Sequence, residues 1–257
     1  MGILNFTPDS FYSESRTLKD SSLLGKIEEM LNEGATFIDI GAYSSRPGAN
    51  IVSVEQEKLR LLPALESIVK EYPELLISVD TFRSIIAAKA IDRGACLVND
   101  ISGGNLDADM FALVAKMQVP YILMHMRGTP ETMTSLNKYD DLILDTISEL
   151  QEKVDILTNL GLNDLIIDPG LGFAKDLNQN YKIVKHLKSF ECLGHPLLIG
   201  ASRKSMIYKL LNIQTDEALN GSTVVHTASL LNGASILRVH DVKAAVEAVK
   251  ITNLLKN

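Results

Sequence analysis

Short apolar segments alternate with longer amphipathic segments along the whole chain. The short segments are apolar through their middle and do not alternate with polar positions, as is typical of strands buried on both faces. They predict strands over residues 2–5, 36–40, 75–80, 96–99, 121–125, 165–168, 197–200 and 236–240. The amphipathic segments between them predict helices over residues 20–33, 54–71, 84–93, 107–118, 139–160, 178–190, 217–231 and 242–255.

Eight strand–helix pairs predict an α/β fold, the (β/α)8 TIM barrel, as a single domain over residues 1–257. Gly34, Gly94 and Gly161 each follow the last apolar turn of a predicted helix, as capping glycines do. The structural alternative is a doubly wound open sheet, but no Gly-x-Gly-x-x-Gly motif follows the first strand. Because the sequence opens directly on that strand, either the bottom of the barrel is left uncovered or the sequence is short at its N-terminus.

Composition excludes several other classes of protein. The 257 residues carry a formal net charge of −7, which argues against a nucleic-acid partner because such proteins need a basic surface. The two cysteines, Cys96 and Cys192, exclude a disulfide framework and a cysteine zinc site. Neither an apolar run long enough to span a membrane nor a signal peptide is present in the sequence, so we expect a cytoplasmic protein without a membrane partner.

Polar residues end nearly every predicted strand. Because the carboxyl ends of all strands in a barrel face the same mouth, these residues are expected to line one pocket. They are Asn5, Asp39 with Gly41, Asp80, Asn99, His125, Asp168, Gly200, and Arg238 with His240. Two carboxylates and a carboxamide among them suit the paired N–H donors of an amino-pyrimidinone ring edge.

Cations lie in the loops around this pocket. Arg203 and Lys204 follow the seventh strand and Arg238 ends the eighth, where such barrels commonly bind phosphate, and Arg46 follows the second. The pattern predicts a neutral heterocycle that carries an anionic group. Asn5 offers a carboxamide oxygen that could bind Mg²⁺ bridging phosphate oxygens.

Taken together, these residues resemble the dihydropteroate synthase family. The resemblance runs from Met1 to about Val242 and is carried by MGILNFTPDSF, FIDIGAYSSRPGA, ISVDT, LVNDISGG, MHMRG, IIDPGLGFAK, LIGASRKS and LRVHDV, each at the end of a predicted strand. It implies a Mg²⁺-dependent transferase that joins 6-hydroxymethyl-7,8-dihydropterin diphosphate to p-aminobenzoate and releases pyrophosphate. It also implies a homodimer formed through outer helices, and a target of sulfonamides.

The resemblance assigns roles to individual residues. Those of the pterin site are Asp168 at the amino-pyrimidinone edge, Asp80 and Asn99 further along the ring, Lys204 at a ring acceptor, and Met124 and Gly200 packing the ring. Asn5 matches the Mg²⁺ ligand, and Arg238 and His240 match the diphosphate site. The p-aminobenzoate pocket is implied to include Phe11, Phe173, Arg46, Pro47, Lys204 and Ser205, with Ser45 keeping the hydroxyl of the usual threonine. Asp80, Asp168, Lys204, Arg238 and Arg46 are the residues expected to carry the reaction.

Two positions depart from the family pattern. Tyr43 replaces an acidic residue of the second loop, and Ser13 replaces an aspartate of the first, with Glu14 one residue later as a possible substitute. Two other functions therefore remain as alternatives. One is a pterin-binding methyltransferase that serves a corrinoid partner, which would hold no diphosphate. The other is a non-catalytic paralogue that binds pterins or a partner protein.

Overall fold

The computed structural model describes residues 1–6, 16–43 and 52–256, with the side chains of 16–21 outside that description. Within these ranges strands and helices alternate as the sequence predicts. The strands are β1 (Gly2–Asn5), β2 (Phe37–Gly41), β3 (Leu76–Asp80), β4 (Leu97–Asp100), β5 (Tyr121–Met124), β6 (Leu165–Asp168), β7 (Leu197–Ile199) and β8 (Ala234–Leu237). The helices are α1 (Arg16–Asn32), α2 (Val54–Glu71), α3 (Ser84–Ile91), α4 (Met110–Met117), α5 (Leu142–Asn159), α6 (Leu177–Lys185), α7 (Ser205–Leu211), α8 (Leu219–Leu231) and α9 (Val242–Lys256).

The eight strands form a closed parallel barrel. They pair in chain order from β1 to β8. The end of β8 returns to β1, where the Ile3 amide donates to Val239 O at 2.9 Å and the Val239 amide donates to Met1 O at 3.0 Å. The predicted TIM barrel is therefore confirmed, and the open-sheet alternative is wrong.

Alternation along the strands separates two packing faces. Tyr121 and Leu123 of β5 point outward into the main core between the strands and the surrounding helices. Ile122, between them, packs instead with Leu97 and Leu198 in a small apolar layer. Because side chains on a strand alternate with a period of two, residues two positions later on these strands form the next layer toward the mouth.

Several element boundaries differ from the predictions. The bounds of β1, β6 and α2 agree, whereas β8 begins two residues earlier than expected and ends before Arg238. The predicted helix over residues 178–190 is two elements, α6 and a 3-10 helix (Leu187–Leu193). Helix α7 was not predicted because its seven residues are too few to show a helical period.

Helix ends follow local chemistry. The predicted helix over residues 139–160 begins instead at Leu142, because the Asp141 carboxylate accepts hydrogen bonds from the amides of Ile143 and Leu144. Gly34 and Gly94 stand at the predicted helix ends with φ of 99° and 103°, a conformation that costs glycine little. Among the described helices, none is long and apolar enough to cross a membrane.

Candidate functional site

Only some of the predicted polar strand ends line a cavity at the carboxyl-terminal mouth of the barrel. Its volume is about 480 Å³. The residues singled out from the sequence that line it are Asn5, Asp80, Phe173, Gly200, Lys204, Ser205, Arg238 and His240. Asn99, Met124 and Asp168 lie at the barrel mouth but are almost fully buried and do not line the cavity. Phe11, Ser45 and Arg46, with Pro47, Ser13 and Glu14, lie outside the described residues.

Arg238 is the centre of a buried ionic network on the β2–β4 side of this mouth. Its Nε donates to Asp39 at 2.6 Å, and its Nη2 donates to Asp80 at 2.6 Å. The same oxygen of Asp39 accepts a hydrogen bond of 3.0 Å from Asn99 Nδ2. The strand register explains the meeting, because Asp80 lies beside Gly41 on one strand and Asn99 on the other.

The network shifts the acidity of its members. Burial raises the pKa of Asp80 above its ordinary value, although the Arg238 guanidinium opposes that effect. Burial alone would lower the pKa of Arg238, but the Asp39 and Asp80 carboxylates raise it above its ordinary value. Arg238 thus keeps a permanent positive charge, and part of its side chain, 18% exposed, remains accessible from the cavity. Asp39 was predicted as a polar strand end but was not assigned a role in the site.

Asp168 and Lys204, which follow one another around the barrel at β6 and after β7, form a second polar group. The Asp168 carboxylate accepts the Gly170 amide at 2.8 Å, and burial raises its pKa. Lys204 Nζ donates to Leu171 O at 2.5 Å and lies 4.8 Å from the centre of the Phe173 ring. Burial lowers the pKa of Lys204 to about 8, while the Asp168 charge opposes the shift.

Apolar side chains surround this second group. Met124, Met126, Met133 and Phe173 are buried together in a small cluster separate from the main core. Met124 lies beside Asp168 in the strand register, so a carboxylate and a flexible thioether occupy neighbouring positions at the floor. An apolar surface with one buried acid and one lysine suits a flat, hydrogen-bonding ring.

The anion side of the cavity differs in one respect from the prediction. His240 is held by Ser202, whose Oγ lies 3.0 Å from Nδ1 and accepts the His240 backbone amide at 3.1 Å. Arg203 lines the cavity but forms a two-bond ion pair with Asp241, at 2.9 and 2.6 Å. Arg203 is thus tied to a carboxylate partner that the sequence did not indicate, as Arg238 is tied to Asp39 and Asp80.

A partly buried layer of charged residues behind the floor was not expected. His125, predicted at the end of the fifth strand, does not line the cavity; it lies between Glu149 and Lys175, at 3.0 Å and 2.9 Å. Arg127 donates to both oxygens of Glu149 from its Nε. The sequence did not indicate Lys175 or Glu149. Lys175 lies seven residues after the strand end at Asp168, and Glu149 lies on the outer helix α5.

The described residues fit a Mg²⁺ ion held by few protein ligands. Asn5 ends β1 beside Gly41, lines the cavity and presents its carboxamide there. Across the described ranges, no group of three or more His, Cys, Asp or Glu side chains could hold a metal. A carboxamide oxygen completed by water and phosphate oxygens is a coordination that Mg²⁺ favours, whereas an all-protein cage is not required.

Comparison with known proteins agrees with this site. The model of the family described as Pterin binding enzyme matches residues 1–240. The dihydropteroate synthase of Escherichia coli strain K12 is 41% identical over 260 residues, which cover 98% of this chain and 89% of that protein. The chain belongs to the dihydropteroate synthase family.

Other dihydropteroate synthase relatives extend the comparison. The Pneumocystis carinii folic acid synthesis protein fol1 is 41% identical over 264 residues, covering 99% of this chain but only 35% of its own length. The chain thus spans about a third of that fungal protein. The Yersinia pestis dihydropteroate synthase, solved in complex with a sulfonamide drug, superposes with a TM-score of 0.92 at 38% identity and covers 100% of this chain and 93% of its own.

Tyr43, the departure from the usual dihydropteroate synthase pattern, lines the cavity. Its ring meets Phe82 edge to face, with 5.0 Å between ring centres, and the Arg83 guanidinium lies 5.6 Å from the centre of the Tyr43 ring. Arg83 is itself paired with the buried Glu57 at 2.5 Å. Tyr43 is therefore packed into an aromatic and cationic cluster rather than standing in place of a lost carboxylate.

Proposed function

We propose that this chain condenses 6-hydroxymethyl-7,8-dihydropterin diphosphate with p-aminobenzoate to give 7,8-dihydropteroate and pyrophosphate. The Asp168 carboxylate is buried at the strand end beside the cavity, which Lys204 lines. The observation that carries the proposal is that this one cavity joins an apolar wall at Phe173 to a polar wall with Arg238 and His240. A pterin that carries a diphosphate has this division of polarity. The similarity to dihydropteroate synthases over nearly the whole chain supports the same reaction.

Asp168 would bind the pterin ring. Its carboxylate is buried, and in the described structure one of its oxygens accepts the Gly170 amide. The ring's paired N–H donors would share the carboxylate in a charge-assisted pair, which is stronger than a neutral hydrogen bond. Lys204 would donate to a ring acceptor from the same wall, and Met124 would pack against the ring face.

Arg238 and His240 would bind the diphosphate. The bond between the hydroxymethyl carbon and the diphosphate oxygen breaks with its electron pair on the oxygen, so the leaving group gains negative charge. Fixed cations beside that oxygen lower the free energy of charge separation. We also propose that Asn5 holds a Mg²⁺ ion, which when bound supplies further charge neutralisation to the diphosphate.

Asp39 and Asp80 would orient Arg238 and stabilise positive charge that develops on the pterin. The amine nitrogen then forms its bond to the same carbon and gives up a proton to water. Because this amine is a weak base, positioning is the main contribution that the protein can make. Phe173 and Ser205, which line the cavity beside Lys204, would form its binding surface, together with the loop residues predicted from the sequence.

We further propose a cytoplasmic homodimer that sulfonamides inhibit by competing with p-aminobenzoate. The support for the dimer is an apolar surface on α8 and α9, where Val224 is 61% exposed, Ile251 60% and Leu254 80%. Sedimentation of the purified chain at several concentrations tests this assembly. A monomer throughout the range would contradict it.

Product analysis with omission controls tests the reaction. The protein is incubated with the dihydropterin diphosphate and Mg²⁺, with and without p-aminobenzoate, and dihydropteroate is measured by chromatography. Dihydropteroate formed only with both substrates supports the synthase. Tight binding of the pterin without product supports the non-catalytic paralogue, and binding that is indifferent to the diphosphate favours the methyltransferase.

A further inference from the structure

The loop over residues 169–175, which follows β6, has an unusual backbone. Gly170, Gly172 and Ala174 all have positive φ, of 73°, 84° and 49°. Ala174 is not a glycine, so its conformation requires support from the surroundings. A Cβ built on Gly170 would lie 2.0 Å from the carbonyl oxygen of His125, which shows how closely the loop packs on the strand end.

Lys175 ties this loop to the barrel from behind. Its Nζ lies 2.9 Å from His125 Nδ1, and it donates to Gly170 O at 3.2 Å and to Phe173 O at 3.1 Å. An ammonium group has three protons, and here each proton has one acceptor. The two carbonyls are three residues apart in the loop, so one part-buried cation joins both.

The protonation state of His125 fits this arrangement. Its Nε2 faces the Glu149 carboxylate at 3.0 Å, which can only accept, so Nε2 carries the proton. Burial, with the Lys175 charge as a second cause, lowers the pKa of His125 to about 4. The imidazole is neutral at pH 7, and its Nδ1 lone pair accepts from Lys175.

The loop in turn carries two groups of the cavity. Leu171 O accepts the hydrogen bond of Lys204, and the Phe173 ring lies beneath the Lys204 ammonium. The outer side of the loop is held separately, since Gly172 N donates to Asn180 and the Tyr139 hydroxyl donates to Ala174 O. Lys175 therefore supports the side of the loop that faces the barrel.

We propose that Lys175 is a positioning residue for the aromatic amine: its ammonium, seated on His125, fixes the carbonyls that place Phe173 and, through Leu171, Lys204. The inference rests on the proposed synthase function. Lys175 does not line the cavity and touches no substrate in this account, so its effect passes through the loop. Loss of one ammonium proton would leave one of the three acceptors without a donor.

Charged groups from each neighbouring element face Lys175. They are Asp168 on β6, Glu149 on α5, Arg127 and His125 after β5, and Lys204 after β7. Burial lowers the pKa of Lys175 to about 7, the Asp168 and Glu149 charges oppose the shift, and the Lys204 and Arg127 charges add to it. Deprotonation above that pH should loosen the loop and raise KM for p-aminobenzoate.

Steady-state kinetics of Lys175→Met test the proposal, with Lys153→Met as the matched control. Lys153 is a second largely buried lysine, and it lies beside Gly103 rather than against the loop. We expect Lys175→Met to raise KM for p-aminobenzoate roughly tenfold, because charge-assisted hydrogen bonds to the loop are lost. KM for the pterin diphosphate should rise less, because only its contact with Lys204 depends on the loop. The control should change neither constant.

The pH profile separates positioning from general destabilisation. Between about pH 6 and pH 9, KM for the amine should rise in the wild type and stay flat in Lys175→Met. Subtracting the two profiles removes the titrations of Lys204 and Asp80, which both proteins share. A variant profile that rises in parallel with the wild type, or equal increases in both KM values, would overturn the proposal.

Two further measurements keep the test independent of one variant. His125→Asn retains an acceptor near the Nδ1 position and should keep KM for the amine closer to that of the wild type than His125→Leu does. Hydrogen exchange of the peptide over residues 169–175 should be faster in Lys175→Met than in Lys153→Met; equal rates would contradict the inference even without turnover. A wild type that makes no dihydropteroate would instead refute the proposed function.

Discussion

Replacing Asp39 by asparagine would test whether the Arg238 network holds the site together. The Asp39 side chain is fully buried, and one of its oxygens accepts both Arg238 Nε at 2.6 Å and Asn99 Nδ2 at 3.0 Å. Among the described residues, its other oxygen has no hydrogen-bond partner. An asparagine here has two orientations. In one, its NH2 group faces the two donors; in the other, its oxygen accepts from them and its NH2 group is buried without a partner.

The expected cost is large because the pair is buried. Breaking a buried ion pair by removal of one partner costs about 3–5 kcal/mol, and the retained amide oxygen should recover part of that. We therefore expect Asp39→Asn to lower the free energy of unfolding by about 3 kcal/mol. KM for the pterin diphosphate should rise as well, because Arg238 would lose the anchor that orients its guanidinium.

Urea denaturation of the purified variant measures this change, with Asp241→Asn as the matched control. Asp241 also forms a two-bond pair with an arginine, but both side chains are partly exposed, at 24% and 28%. Exposed pairs contribute about 0–1 kcal/mol, so the control should stay near the wild type. Equal, small losses for the two variants would refute the reasoning that burial makes the Asp39 pair important.

Three further predictions follow from single residues. Asp168→Ala should weaken pterin binding in calorimetry by about 10- to 150-fold, because a charge-assisted pair contributes roughly 1.5–3 kcal/mol; unchanged affinity would exclude Asp168 from the ring site. Gly170→Ala should destabilise the fold by roughly 3 kcal/mol or more in urea, since its φ is 73° and its Cβ would clash with a carbonyl oxygen, while Gly25→Ala, with open space around it, should not. Burial lowers the pKa of His226 to about 4, so the unfolded chain binds the extra proton between that value and about 6.5 and stability falls on acidification. On acidification over this window, the free energy of unfolding of His226→Leu should therefore rise relative to that of the wild type by about 1.4 kcal/mol per pH unit. A difference in urea midpoint between the two proteins that is the same at both ends of the window would contradict this.

Much of the fold could be predicted because the barrel repeats one strong signal. The strands β1 and β6 are apolar runs that end at a polar residue, and their bounds were correct. Strand β8 was placed two residues late because it begins with a small residue, Ala234, and a polar one, Ser235, which interrupt the apolar run. Helix α7 ends at Asn212 in the left-handed conformation after only seven residues, too short for a period to show.

The site was predictable where its residues end strands or lie in the loops that follow them. Asn5, Asp80, Lys204, Arg238 and His240 were chosen from their positions, and the structure brings them to one cavity. Glu149 could not have been found this way, because a charge on an outer helix is usually solvated and only the fold shows it against His125. Roles in binding and catalysis stay predictions for all of these residues.

The stoichiometry of the reaction shows whether this chain joins the pterin to p-aminobenzoate. Wild-type protein would be mixed with the dihydropterin diphosphate and Mg²⁺, and pyrophosphate and dihydropteroate would be measured together as p-aminobenzoate is increased. We expect equal amounts of the two products at every amine concentration and no dihydropteroate without the amine. Dihydropteroate absent at saturating amine, with the pterin bound, would contradict it.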